Sequence, residues 1–294
     1  MSGDAVHTAG GAPRRGRDWL RELRDSPLLA IAVFLSVVQV AFALAAPLLA
    51  PYDPLAQDVL SRLQGPSAAH WLGADQFGRD LLSRILYGYR ASLGIAGSSV
   101  ALALVVGGFF GIVAAYYGGW ADRIIMRLMD ILFAFPIILL AIGIIAVLGP
   151  GQWTTSLAIG IVYIPIFARL LRGPALVIAE SDYVMAARST GAGDLRILLL
   201  HILPNLVSLI LVQTSLLLST AILVEASLSF LGLGTQPPMP SLGLMLSEGR
   251  AYMLLSPWTS VFSGLAILLV AFAFNLLGDG LRDRLDPRLR QAEA

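Results

Sequence analysis

Asp182 to Asn205, DYVMAARSTGAGDLRILLLHILPN, is a polar and charged island between long apolar runs. Ser181 or Asp182 carries a side chain able to cap a short helix through Tyr183, Ala186 and Ala187 to Arg188. Gly191 and Gly193 are expected to break that helix, because glycine accepts backbone angles that other residues avoid. Asp194 is expected to cap a second helix, Leu195 to His201, which Pro204 ends or kinks as the chain returns to apolar sequence. Two short helices at a sharp angle, with adjacent alanines on the first, make a knob that another protein's backbone can approach closely. The stretch reads as a docking device on the face of a membrane protein.

Composition supports the membrane reading. Of 294 residues, 57% are hydrophobic and 13% charged, with a mean hydropathy of +0.78. Soluble domains carry about 25% charged residues, so roughly half the usual charge is missing. All 20 basic residues are arginine. A P-loop needs a lysine to reach nucleotide phosphates, so the chain has no standard nucleotide-binding motif of its own. Cysteine is also absent, which excludes disulfides, thiol catalysis and cysteine-bound metal.

Residues 1–26 form a polar tail with Arg14, Arg15, Arg17, Arg21 and Arg24, in which Trp19 to Asp25 reads as a helix lying on lipid. The uncharged run Leu28 to Ala50 is too long for a signal-peptide core of about 7–15 residues, and long enough to cross a bilayer at roughly 20. Further spans are expected in Ala91 to Ala121, in a block from Ile131 to Ala168 split by Gly149-Pro150-Gly151, in Ile202 to Val224, and from about Trp258 to Gly278. The fold class is therefore all-α integral membrane with six transmembrane helices and both termini on one side. Fifteen arginines fall on the segments assigned to the cytoplasm and five outside, which puts both termini and the island in the cytoplasm. The domain plan is a tail (1–26), a first helix with an outer loop (27–90), a five-helix core (91–280) with a cytoplasmic loop at 171–205, and a second tail (281–294). Leu81 to Leu93, apolar at helical spacing but interrupted by Arg84 and Arg90, is expected to be an interfacial helix leading into span two.

Few ionisable groups lie deep in the apolar runs. Asp130 is expected at the start of span three and Asp279 at the end of span six, both as interface residues. Glu225 either lines a gate or satisfies backbone in an outer turn. Gln213 and Ser219, with Thr214, Ser215 and Thr220, either wall a pathway or serve as helix–helix hydrogen-bonding groups. Gly107 and Gly111 read as a close-packing pair. His7, His70 and His201 are too scattered to converge on a metal, and no catalytic constellation occurs. The chain is therefore read as binding no cofactor or metal and as no enzyme.

The island resembles the EAA loop of ABC-importer permeases. Ala186-Ala187 match that family's two alanines, Gly191 its glycine, and Leu203-Pro204 fall at the expected distance downstream. Met185 stands where the family has glutamate, and His201 where many members carry isoleucine. PYDP (51–54), HWLGAD (70–75), GRDLLSRILYG (78–88), YYGGW (116–120), EASLSFLGLG (225–234) and LGDGLRDRLDPR (277–288) resemble the dipeptide/oligopeptide/nickel permeases of the DppC/OppC type. Together they cover the chain from about residue 20 to 290.

The resemblance implies a type I importer permease fold in a bacterial inner membrane. This chain would pair with a second, homologous permease subunit, each holding half of the pathway. Two ATPase subunits, carrying ATP and magnesium, would dock on the paired loops, and an extracytoplasmic binding protein would deliver di- or oligopeptides. Nickel chelates or glutathione are the alternative cargo. Tyr183, Met185, Ala186, Ala187, Arg188 and Thr190 would lie on the coupling helix, with Gly191, Asp194, His201 and Pro204 shaping its return. Membrane lipid is the remaining partner, and no nucleic acid is implied. A secondary transporter is the rival from another class; internal repeats or broken spans with buried ionisable groups would mark it, and the sequence offers neither.

Overall fold

The computed structural model describes residues 27–285; the expected tails, the helix at Trp19 to Asp25 and the last residues lie outside this range. The described chain is helical, with no strand beyond a single bridge between Ala74 and Asp80. In order come α1 (Pro27–Leu49), α2 (Leu81–Tyr117), α3 (Gly119–Phe133), α4 (Ile137–Leu148) and α5 (Gln152–Ala179). The island supplies α6 (Asp182–Ser189) and α7 (Asp194–Ile197), and then a π-turn (Leu198–Ile202) opens α8 (Leu203–Phe230). A short α9 (Leu242–Arg250) and α10 (Trp258–Leu285) complete the fold. Among the described residues five helices, counting Asp194–Phe230 as one, are long and apolar enough to cross a membrane; α3 and α4 meet at 89° and count as a sixth where the bent pair is taken as one span.

Glycine sets the closest approaches. A Cβ on Gly107 would lie 2.3 Å from the Ile164 carbonyl oxygen, and one on Gly111 2.3 Å from that of Ala168. The pair therefore lets α2 and α5 touch backbone to backbone, the packing expected from their spacing. Gly149-Pro150-Gly151 divides α4 from α5, and the last span starts at Trp258, as the sequence indicates. The first turn of α1 meets the end of α10, where a Cβ on Gly280 would lie 2.9 Å from Leu29.

Three expectations are corrected or narrowed. Leu81 to Leu93 does lead into span two, but without a break and not on a lipid surface: α2 is one continuous helix of 37 residues, and the boundary drawn at residue 90 falls inside it. Arg84 is fully buried there, in ion pairs rather than at a lipid surface. Asp130 does not open an upright span but sits on α3, ahead of the bend at Ala134 to Pro136, and pairs with exposed Arg169 at 2.6 Å. Finally, Pro204, expected to end or kink the island's second arm, does not end it. Proline lacks an N–H and its ring crowds the carbonyl four residues back, here Leu200. The wider turn over Leu198–Ile202 absorbs that conflict, and the helix runs on into the membrane.

Candidate functional site

The island is a clip of two arms at one end of the bundle. Ser181 occupies the position preceding α6, but its hydroxyl donates back to the Ile178 carbonyl at 2.5 Å instead of capping the helix. At the far end of α6, Gly191 adopts φ +83°, the left-handed conformation that favours glycine. Its N–H donates to Arg188 O and that of Ala192 to Ala187 O, both at 3.0 Å, which closes the last carbonyls of α6 in a Schellman turn. Gly193, by contrast, is extended at φ −68° and precedes α7, so only one of the two glycines makes the break.

Asp194 is the first residue of α7 and not its cap. Its carboxylate reaches back to α2, accepting from Tyr116 Oη at 2.7 Å and Tyr117 Oη at 3.0 Å. The Arg188 guanidinium lies 4.5 Å over the Tyr116 ring, so both arms of the clip are fastened to the end of α2. On α8, Asn205 donates to the His201 carbonyl at 2.6 Å and to Tyr183 Oη at 3.3 Å. The His201 ring lies 6.2 Å from that of Tyr183, so His201 stands beside α6 through its ring and anchors α8 through its carbonyl.

Burial separates what holds the clip from what it offers. Val184 is the one buried residue of α6, at 0% exposure, within a cluster that includes Ile197, Ile202, Leu171 and Ile112. Tyr183, Met185, Ala186, Arg188 and Thr190 are exposed, and Ala187 is half-buried. Pro204 is exposed at the return. The sequence-predicted docking residues thus gather on one outward surface of a short helix pinned from beneath by a single valine.

The pathway candidates do not converge. Ser219 is buried and donates to the Ala271 carbonyl at 2.7 Å, tying α8 to α10. Gln213 is half-buried two turns earlier on α8. Glu225 is at 0% exposure near the opposite end, where Oε1 accepts from Ser229 at 2.7 Å and Oε2 has no hydrogen-bond partner among the described residues.

A further constellation escaped the sequence reading. Asp75, Arg79, Arg84 and Glu248 form a buried network at the end opposite the clip, with Arg79–Asp75 at 2.6 Å, Arg84–Glu248 at 3.0 Å, and Arg79–Glu248 and Arg84–Asp75 at 3.3 Å. Beside it His70 Nδ1 lies 2.9 Å from Asp80 Oδ1, and Asp80 caps α2 through Ser83 N. The motifs at 70–75 and 78–88 therefore specify a braced loop at that end. Its signal was present as paired charges four apart, Asp75 and Arg79, but Glu248 is too distant in sequence to be matched by spacing.

Comparison with known proteins bears on this arrangement. The family described as "Binding-protein-dependent transport system inner membrane component" matches residues 107–291, and the "N-terminal TM domain of oligopeptide transport permease C" matches residues 15–66. The chain is 50% identical over 273 residues to the glutathione transport system permease protein GsiD of Pectobacterium atrosepticum, covering 92% of this chain and 90% of that one. It is 45% identical over 274 residues to the dipeptide transport system permease protein DppC of Alkalihalophilus pseudofirmus, with 93% and 90% covered. An inward-facing structure of the MetNI methionine ABC transporter superposes with a TM-score of 0.55 at 18% identity, covering 70% of this chain and 96% of that one, which shows a shared fold. Permeases of this kind have no ATPase of their own and work with a permease partner and ATPase subunits. The fold, the exposed clip and these matches agree: the chain belongs to the binding-protein-dependent inner-membrane permeases of ABC importers, in their DppC/OppC-type branch.

Proposed function

We propose that this chain holds half of a translocation pathway for di- and oligopeptides, with glutathione as the alternative cargo, and receives the force of ATP hydrolysis through residues 182–205. Two ATPase subunits, each with ATP and magnesium, meet the paired clips of this chain and a second permease on the cytoplasmic side, where both termini also lie. An extracytoplasmic binding protein brings the solute to the other end. The observation that carries the reading is α6 itself: a helix with its apolar contact reduced to Val184 and its alanine face and Met185 left outward. Such a surface suits insertion into a groove, where small side chains allow backbone to approach backbone. Relatives that carry dipeptides and glutathione support the cargo class.

The test is reconstitution. The complex purified through this chain is expected to contain two ATPase subunits and a second permease, with hydrolysis stimulated by the loaded binding protein. Solute accumulation driven by an ion gradient, with this chain alone in the vesicle, would overturn the proposal.

A further inference from the structure

A cavity of about 510 Å³ opens at the outer end of the bundle, between α2, the start of α5 and the loop carrying Met239 and Pro240. Cavities of roughly 300–1,000 Å³ are the usual size of small-molecule sites. One stripe of α2 forms its floor, with Tyr87, Arg90, Gly94 and Ser98 facing the space. Residues 90, 94 and 98 are a turn apart, so the stripe runs about 12 Å at 1.5 Å per residue, close to the reach of three extended residues.

Charge gives the cavity a direction. Arg90 makes no ion pair, hydrogen bond or ring contact among the described residues, whereas Arg79 and Arg84 on the same side are neutralised by Asp75 and Glu248. No acidic side chain lines the space. At the far end Ser98 and Ser156 share a hydrogen bond at 2.7 Å, next to Gln152, giving uncharged donors and acceptors. A Cβ built on Gly94 meets nothing within 4 Å, so the floor between the charge and the hydroxyls is open.

We infer that this cavity is a subsite for the carboxylate of a small, peptide-sized solute, with Arg90 as the anion-binding residue and the Ser98–Ser156 pair taking the neutral end. This assignment rests on the peptide-class cargo proposed above. A guanidinium presents a planar fork that matches a carboxylate, and a site without acidic groups gives a cation no counterpart. The subsite recognises one end group shared by all free peptides, so it discriminates by charge and length, not by side chain.

The natural absence of cysteine supplies the assay. In the intact complex in zwitterionic nanodiscs, without binding protein, Ala91→Cys places one thiol of this chain in the cavity wall, and its alkylation by N-ethylmaleimide is followed by mass spectrometry. Millimolar trialanine is expected to slow alkylation several-fold, while trialanine amide does not, and Arg90→Gln abolishes the protection. Gly94→Leu fills the floor without touching the charge and is expected to abolish it as well. Equal protection by the amide, or protection that survives Arg90→Gln, would overturn the assignment. So would protection produced by phosphatidylglycerol alone, which would make the anion a lipid headgroup. Peptide uptake with no protection sinks the subsite alone; protection without peptide uptake in the reconstituted system sinks the cargo reading alone.

Discussion

The buried network at the end opposite the clip makes a quantitative prediction. Arg84 and Arg79 have side chains only 1% and 4% exposed, and they share two carboxylates, Asp75 at 0% and Glu248 at 16%. Replacing Glu248 by leucine leaves two buried guanidinium groups on one carboxylate. Removing one partner of a buried pair costs about 3–5 kcal/mol, chiefly because the other charge stays buried and unmatched. At about 2 °C per kcal/mol for a chain of this size, the apparent Tm of the complex is expected to fall by roughly 6–10 °C. Adding Arg84→Met removes the surplus cation and leaves Asp75 with Arg79 at 2.6 Å, so the double variant is expected to regain more than half of the loss. Scanning fluorimetry of the intact purified complex reads all four corners of the cycle. Losses that simply add would show that the four residues do not act as one charge-balanced unit.

Gly191→Asp and Ala187→Glu are expected to leave insertion and assembly intact while uncoupling hydrolysis from uptake, since bulk and charge enter a tight surface; wild-type uptake in the assembled variants would remove the docking role. Val184→Ala deletes buried methyls worth about 2 kcal/mol, so hydrogen exchange in α6 should quicken several-fold while the spans keep their protection. Gly111→Val forces a Cβ to within 2.3 Å of the Ala168 carbonyl and should sharply lower the yield of folded complex. Gly94→Ala on the same helix, with open space around it, should be neutral or stabilising by up to about 1 kcal/mol.

What the sequence disclosed and what it hid divide along physical lines. Long apolar runs, the Gly-Pro-Gly break and the small residues of α2 are local signals, and the structure carries them directly. The island's first arm was legible because a capping position, an alanine pair and Gly191 lie within eleven residues. Its second arm is legible only as ending or kinking at Pro204, because nothing nearby signals that a π-turn will absorb the proline. The 89° bend was missed because the charges of α3 look like a loop, although Asp122 is held by Arg172 at 2.5 and 2.6 Å. Arg84 looked interfacial for the same reason: its partner Glu248 lies 164 residues away, a distance no periodicity spans.

From Asp194 to Phe230 the helical path runs on for 37 residues, about 55 Å at 1.5 Å per residue, with the π-turn near its first end. Its two ends carry Asp194, fastened to the tyrosines of α2, and Glu225, sealed among serines. Midway it bears on α10, where a Cβ on Gly278 would meet Leu216 at 2.5 Å and Ser219 grips Ala271. With that contact near its middle, a tilt of this helix is expected to carry its two ends in opposite senses, less what the π-turn at Leu198–Ile202 takes up. A swing of about 5° moves each tip by roughly 2 Å, enough to break a hydrogen bond at either end.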